Sequence, residues 1–206
     1  MAGLSLAEVL ALQVLEAAPR LLGARLTHAG VTVRLSEVEA YAGADDPGSH
    51  AYRGPTARTA TMFGPAGRLY VYFTYGMHHC ANLVCGPEGQ ASAVLLRAGE
   101  VVAGHDLARS RRPGVRDRDL ARGPACLCRA LALDRSHDGL DARELVSIAD
   151  QPVVEPATGP RVGLRLAPDR PWRFWVPGDP TVSRYVAAAP KRPRGTAPSR
   201  PGTPGG

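Results

Sequence analysis

Aromatic residues are scarce in this chain, at 5% of 206 positions: three phenylalanines, two tryptophans and six tyrosines. Lysine is scarcer still, Lys191 being the only one, so chemistry on a lysine amine has no residue to use outside the C-terminal stretch. No apolar run approaches the roughly 18 residues of a membrane span. The first twenty residues lack the basic start and small-residue cleavage site of a secretory signal, so a cytoplasmic location is expected. The four cysteines, Cys80, Cys85, Cys126 and Cys128, form no C-x-x-C pair and are expected to be reduced thiols rather than a disulfide framework or a structural metal site. Internal repeats, a P-loop and a dinucleotide-binding glycine pattern are also missing, and no cofactor is expected.

What remains fits one domain over residues 1–186, followed by a tail. The formal net charge is +6, but residues 187–206 hold Lys191, Arg192, Arg194 and Arg200 and no acid, which leaves +2 for the rest. Five prolines and four glycines in those twenty residues cannot bury enough apolar surface to offset their ordering entropy, so the tail is expected to be disordered.

Within the domain, SLAEVLALQVLEAAP has a serine N-cap, a glutamate three residues on and an apolar helical stripe ending at Pro19. Strict alternation predicts a strand over 31–41, with further strands over 67–75 and 91–99, in HCANLVC between them, and near ELVSIAD and WRFWVPG. GEVVAGHDLARSRR and GPACLCRALAL read as helices, the second with a proline in its first turn. Strands with short connections in the middle and helices at the sides predict an α+β fold around an antiparallel sheet.

Three of the six tyrosines fall in LYVYFTYGMHHCAN, residues 69–82. On a strand, Leu69, Val71, Phe73 and Tyr75 share one face, while Tyr70, Tyr72 and Thr74 share the other. Gly76 permits a hairpin tip from which Tyr75 projects. An apolar wedge on a tip parts base pairs and an aromatic platform stacks an extruded base, whereas an ordinary aromatic β-core would look much the same. His78, His79 and Cys80 alternate across a strand and cannot converge on one ion, so no metal is assigned.

In SEVEAYAGADDPGSHAYRG, residues 36–54, parity puts Glu37, Glu39 and Tyr41 on the face of Val31, Val33 and Leu35. A carboxylate continuing an apolar face is costly unless paired, hydrogen-bonded or used, and a solvated strand end would account for it equally.

These segments, together with MFGPAGRLYVYFTYGMHHCANLV, AVLLRAGE, ARGPACLCRALAL, RVGL and WRFWVPGDPTVS, closely resemble the alkyladenine (3-methyladenine) DNA glycosylase family of bacterial type. The matching blocks occur in family order over roughly residues 20–185. The resemblance implies a single mixed domain around a curved antiparallel sheet with a protruding β-hairpin, flanked by helices. It also implies a monofunctional enzyme, a monomer that acts on double-stranded DNA containing damaged purines. Such an enzyme turns an alkylated or deaminated purine out of the duplex and hydrolyses its N-glycosidic bond with water, initiating base-excision repair.

Residue by residue, the resemblance makes Glu39 the general base on that water, puts Arg97 beside it, and has the backbone carbonyl of Val162 help to hold it. Tyr41, His50 and Tyr72 match the side chains around the extruded base, and Asn82 the residue whose bulk disfavours the amino group of guanine. Tyr75 matches the residue that fills the gap in the duplex; Tyr70 is read as structural. Two departures bear on DNA contacts: Thr59 stands where the family has asparagine, and His78 and His79 follow the Tyr-Gly-Met where the family has an aromatic.

A purine alkylated at N3 or N7 carries positive charge and leaves readily, so exposure of the sugar and an activated water suffice, the base contributing ~10² to 10⁴ in rate. Two other readings are a non-catalytic damaged-DNA or RNA binding module, with no need of Glu39 and Arg97 together, and a small-molecule hydrolase, with no use for Tyr75 on a tip.

Overall fold

The computed structural model describes residues 3–74, 76–149, 153 and 155–189. The N-terminal helical stripe forms two helices, α1 (Leu6–Ala11) and α2 (Val14–Arg20). The capping box is present, with the Ser5 hydroxyl accepting from the Glu8 amide and the Glu8 carboxylate from the Ser5 amide. The expected single helix is interrupted because Leu12 and Gln13 are extended, and Pro19 lies inside α2 instead of ending it.

The strands are β1 (Arg25–His28), β2 (Val31–Tyr41), β3 (Leu69–Thr74), β4 (His78–Val84) and β5 (Ala93–Ala103). Helix α3 (His105–Arg111), β6 (Ala121–Arg122), α4 (Pro124–Ala130), β7 (Val146–Ser147), β8 (Ala157–Gly159) and β9 (Arg173–Trp175) follow. The fold is α+β, one domain around a large antiparallel sheet in the order β3-β4-β5-β2-β1-β7; β6 extends the β5 edge, and β9, carrying β8, extends β2.

GEVVA, expected to open a helix, is strand. Its β-branched valines suit the ladder, Val101 pairing with Val33 and Ala103 with Thr32. The turn into α3 is made at Gly104, whose φ of 76° and approach to the Gly30 carbonyl leave no room for a Cβ.

One face of the sheet buries Val31, Val33, Leu35, Val38, Ala40, Leu69, Val71, Leu83, Val94 and Leu96 against α1, α2 and α4. On the other face a smaller cluster, Ala51, Met62, Tyr70, Val84, Ala91 and Ala93, packs beneath Phe63 and Tyr72. β3 therefore divides as its parity predicts, Leu69 and Val71 against Tyr70 and Tyr72. Strands β3 and β4 form a hairpin with Thr74 opposite His78, turning through Gly76 at φ 68°. Met77 beside that glycine is 69% exposed. Tyr75, expected to be the wedge, lies outside the described residues, as do 190–206 of the expected tail.

Parity fails in β2. Val38 and Ala40, not Glu37 and Glu39, continue the core face of Val31, Val33 and Leu35. Leu35 pairs with Gly99 but Glu37 with Ala98, so Ser36 is an extra residue on β2. Val38 then pairs with Leu96, which makes Arg97 an extra residue on β5. A one-residue bulge moves every later side chain to the opposite face. Glu39 thus leaves the hydrophobic core and faces the side of the sheet that carries the tyrosines.

Candidate active site

Opposed bulges bring the carboxylates of β2 and the guanidinium of β5 together. Glu37, Glu39, Arg97 and Arg173 are all buried, two charges of each sign. The Glu37 carboxylate accepts from Arg97 Nε at 3.0 Å, Arg173 Nε at 2.5 Å, and the Ser183 amide and hydroxyl at 2.7 and 3.0 Å. Glu39 Oε1 accepts from the Val162 amide at 2.7 Å and lies 3.4 Å from Arg97 Nη1, while Oε2 accepts from the Tyr41 hydroxyl at 2.8 Å. Burial pushes the Glu39 carboxyl above its ordinary value, against the opposing pull of Arg97, the Val162 amide and Tyr41. A carboxylate accepts about four hydrogen bonds, so Oε2 keeps one acceptor direction beyond these partners.

A cavity of about 290 Å³ opens beside this carboxylate, lined by Tyr41, His50, Tyr72, Asn82, Arg97 and Val162 among others. The His50 and Tyr72 rings meet edge to face at 4.6 Å, and Tyr70 stacks on Tyr72 at 5.4 Å. These two rings touch, so a base between them requires one to move. The exposed Arg58 sits 5.3 Å above Tyr72. Partial burial of the imidazole, helped by the Arg58 charge, lowers the His50 pKa to about 4, so the ring is neutral at pH 7 and available as donor or acceptor. The Asn82 amide donates to the Tyr70 carbonyl at 3.0 Å, which fixes this buried side chain on the cavity wall.

The loop after β2 is tied down by a buried pair. Arg161 donates to both Asp46 oxygens, at 2.5 and 2.7 Å, and to the Ala40 carbonyl at 2.8 Å, while its guanidinium lies 4.6 Å above the Tyr41 ring. Arg161 immediately precedes Val162, so one fork fixes both the tyrosine and the amide that hold Glu39.

The family model described as Methylpurine-DNA glycosylase (MPG) matches residues 8–180. The chain belongs to the methylpurine-DNA glycosylase family. Among similar proteins, one from Streptomyces avermitilis is 54% identical over 200 residues, covering 91% of this chain and 94% of the relative. One from Frankia casuarinae is 52% identical over 196 residues (88% and 92%), and one from Cutibacterium acnes 50% over 179 (82% and 94%). Each bears the name "Putative 3-methyladenine DNA glycosylase".

The methylpurine-DNA glycosylase fold thus gathers Tyr41, His50, Tyr72, Asn82, Arg97 and Val162 around one cavity, with Glu39 buried behind Tyr41, Arg97 and Val162; as a DNA glycosylase the enzyme is a hydrolase and DNA its substrate. Val162 meets Glu39 through its amide, a donor contact that sequence reasoning had not assigned. Also unassigned were Arg161 with Asp46, Arg173 and Ser183. Their sequence signal was faint, an arginine before Val162 and a serine closing the last matching block. Tyr70, read as structural, lines the cavity, with its hydroxyl 3.4 Å from His50 Nδ1. Thr59 is buried and closes a turn, accepting from the Thr56 amide at 2.9 Å. Among the described residues no helix is long and apolar enough to cross a membrane.

Proposed function

We propose that this enzyme removes alkylated purines of the 3-methyladenine type, and the deaminated purine hypoxanthine, by turning the nucleotide out of duplex DNA and hydrolysing it with a water activated by Glu39. The observation that carries the reading is the environment of Glu39, a buried carboxylate of raised pKa with one acceptor direction to spare, held by three residues that line an aromatic cavity. The names of the relatives support the substrate class.

In this mechanism the water oxygen attacks the anomeric carbon while the bond from that carbon to the purine nitrogen breaks. The bonding electrons leave with the base, neutralising an alkylpurine cation, whereas hypoxanthine leaves as an anion that takes up a proton from solvent. The water proton passes to Glu39 Oε2 and then to solvent, leaving an abasic sugar. Arg97 stabilises the ionised carboxylate, and the Val162 amide and Tyr41 hydroxyl fix its orientation. Tyr41, His50 and Tyr72 supply aromatic surface for the base, the last two parting to admit it. Asn82 cannot swing aside, because its amide is tied to Tyr70, and so disfavours the 2-amino group of guanine while leaving the 6-amino group of adenine unaffected. The enzyme works as a monomer.

Glu39→Gln tests this reading. It keeps the volume and one acceptor oxygen, and the Tyr41 hydroxyl can turn to accept from the new amide. Single-turnover excision of 3-methyladenine from duplex DNA is expected to fall by about 10² to 10⁴ with lesion affinity little changed. Excision at the parent rate would overturn the assignment. A panel of duplexes, each with one lesion, ranks 3-methyladenine, 7-methylguanine, hypoxanthine and ethenoadenine.

A further inference from the structure

The family model's match ends at residue 180, yet Thr181, Val182, Ser183 and Val186 beyond it are bonded to the elements around the candidate site. Thr181 donates its hydroxyl to Ser36, the extra residue of the β2 bulge, at 2.7 Å. The Val182 carbonyl accepts from Arg122 Nε at 2.8 Å, and the Val186 carbonyl from the Gly163 amide at 2.9 Å, one residue beyond Val162. Between them Ser183 bridges the charges: its amide and hydroxyl donate to Glu37, its hydroxyl oxygen accepts from Arg97 Nη2 at 3.2 Å, and its carbonyl accepts from Arg173 Nη2 at 2.8 Å.

We propose that Ser183 is a positioning residue for the glycosylase, holding the Arg97 guanidinium in the plane that directs Nη1 at Glu39. The argument is geometric. A guanidinium is a rigid planar fork, so fixing two of its nitrogens fixes the third. Glu37 holds Nε at 3.0 Å and Ser183 holds Nη2 at 3.2 Å, and Nη1 is thereby set 3.4 Å from Glu39 Oε1. With the hydroxyl removed, Nη2 loses its partner and the fork is held only at Nε and by its 3.4 Å ion pair with Glu39 itself, so it can hinge about the Nε bond. The bonds that Ser183 makes through its main chain, to Glu37 and Arg173, do not depend on the hydroxyl. This inference rests on Glu39 being the base.

The charged and titratable groups around Glu39 are Glu37 and Tyr41 on its own strand, Arg97 on β5, Arg173 opposite it on β9, Tyr72 on β3, Cys80 on β4 and Arg161 beyond the Tyr41 ring. Of these, only Arg97 depends on the Ser183 hydroxyl for its aim at Glu39. A loosened Arg97 stabilises the ionised Glu39 less, so the acid limb of the rate profile moves to higher pH.

The test is single-turnover excision of 3-methyladenine from duplex DNA, measured against pH for the parent, Ser183→Ala and Ser183→Thr. Ser183→Ala is expected to be slower by about tenfold near neutral pH, as for one lost hydrogen bond to a charged group, with its acid limb displaced upward. Ser183→Thr keeps the hydroxyl and is expected to restore both. A parent-like rate and limb in folded Ser183→Ala, with only thermal stability altered, would overturn the proposal. If Ser183→Ala does not fold, Ser183→Thr against Ser183→Val isolates the hydroxyl in side chains of one shape: equal rates and limbs in that pair overturn the proposal, and a slower valine variant supports it. Glu39→Gln in the same assay keeps the two readings apart. Its activity at the parent rate defeats the base assignment, whereas its loss beside an unaltered Ser183→Ala defeats only the positioning role.

Discussion

Glu37 and Glu39 stand two residues apart on β2, both buried, and differ in how completely their carboxylates are bound. Four donors from Arg97, Arg173 and Ser183 fill the acceptor capacity of Glu37. Glu39 receives the Val162 amide, the Tyr41 hydroxyl and one guanidinium nitrogen at 3.4 Å, which leaves one of its acceptor directions unfilled among the described residues. The saturated carboxylate is the anchor of the charge cluster and the unsaturated one is the proposed base.

That asymmetry sets a pH dependence. Glu39, the proposed general base, works ionised, and burial raises its pKa above the ordinary 4.5, so excision is expected to fail as pH falls through a value higher than that of a free glutamate. Tyr41→Phe removes a donor to the ionised form while leaving the ring over Arg161, and is expected to move the acid limb further up. Single-turnover rates of the parent and Tyr41→Phe across pH 4 to 8 measure this; a limb at or below the free-glutamate value contradicts it. For stability the sign is opposite to that of a salt-bridged acid. The folded chain binds this proton more tightly than the unfolded one, so the contribution is full below the unfolded pKa and is lost as pH rises through the folded pKa.

The wedge reading of Tyr75 predicts a dependence on the stability of the duplex. Tyr75→Ser is expected to reduce excision from fully paired DNA several-fold more than from single strands or mismatched sites, where unstacking costs less. Comparable losses on all three substrates would remove the hairpin-tip assignment.

Asp46 and Arg161 form a buried pair that supports both Tyr41 and the Val162 loop. Asp46→Ala leaves an uncompensated buried guanidinium and is expected to destabilise the fold by about 3 to 5 kcal/mol. Urea denaturation followed by tryptophan fluorescence gives the number. A loss below about 1 kcal/mol would mean that Arg161 finds another partner or water.

Much of the fold follows from local pattern. The alternation of Val31 to Leu35, the tyrosine-rich strand and the capping box at Ser5 each depend on neighbours within a few residues, and β2, β3, β4 and β5 lie over their expected segments. The helix read into GEVVA failed because strand pairing with β2 outweighed the local pattern. Of the site residues carried over by resemblance, Tyr41, His50, Tyr72, Asn82, Arg97 and Val162 line one cavity, Glu39 is buried behind three of them, and Tyr75 lies outside the described residues.

By itself the sequence determined the family, the α+β class and the identity of the residues available for chemistry, because these depend on residue type and order. The tertiary structure alone decided which way Glu39 points. Period-two counting assumes an uninterrupted ladder, and whether Ser36 and Arg97 are extra residues is settled by how β2 and β5 pair across some sixty positions of chain. The same holds for Ser183 and Arg161, which reach Glu37 and Asp46 from 146 and 115 residues away and leave no periodic trace in the sequence.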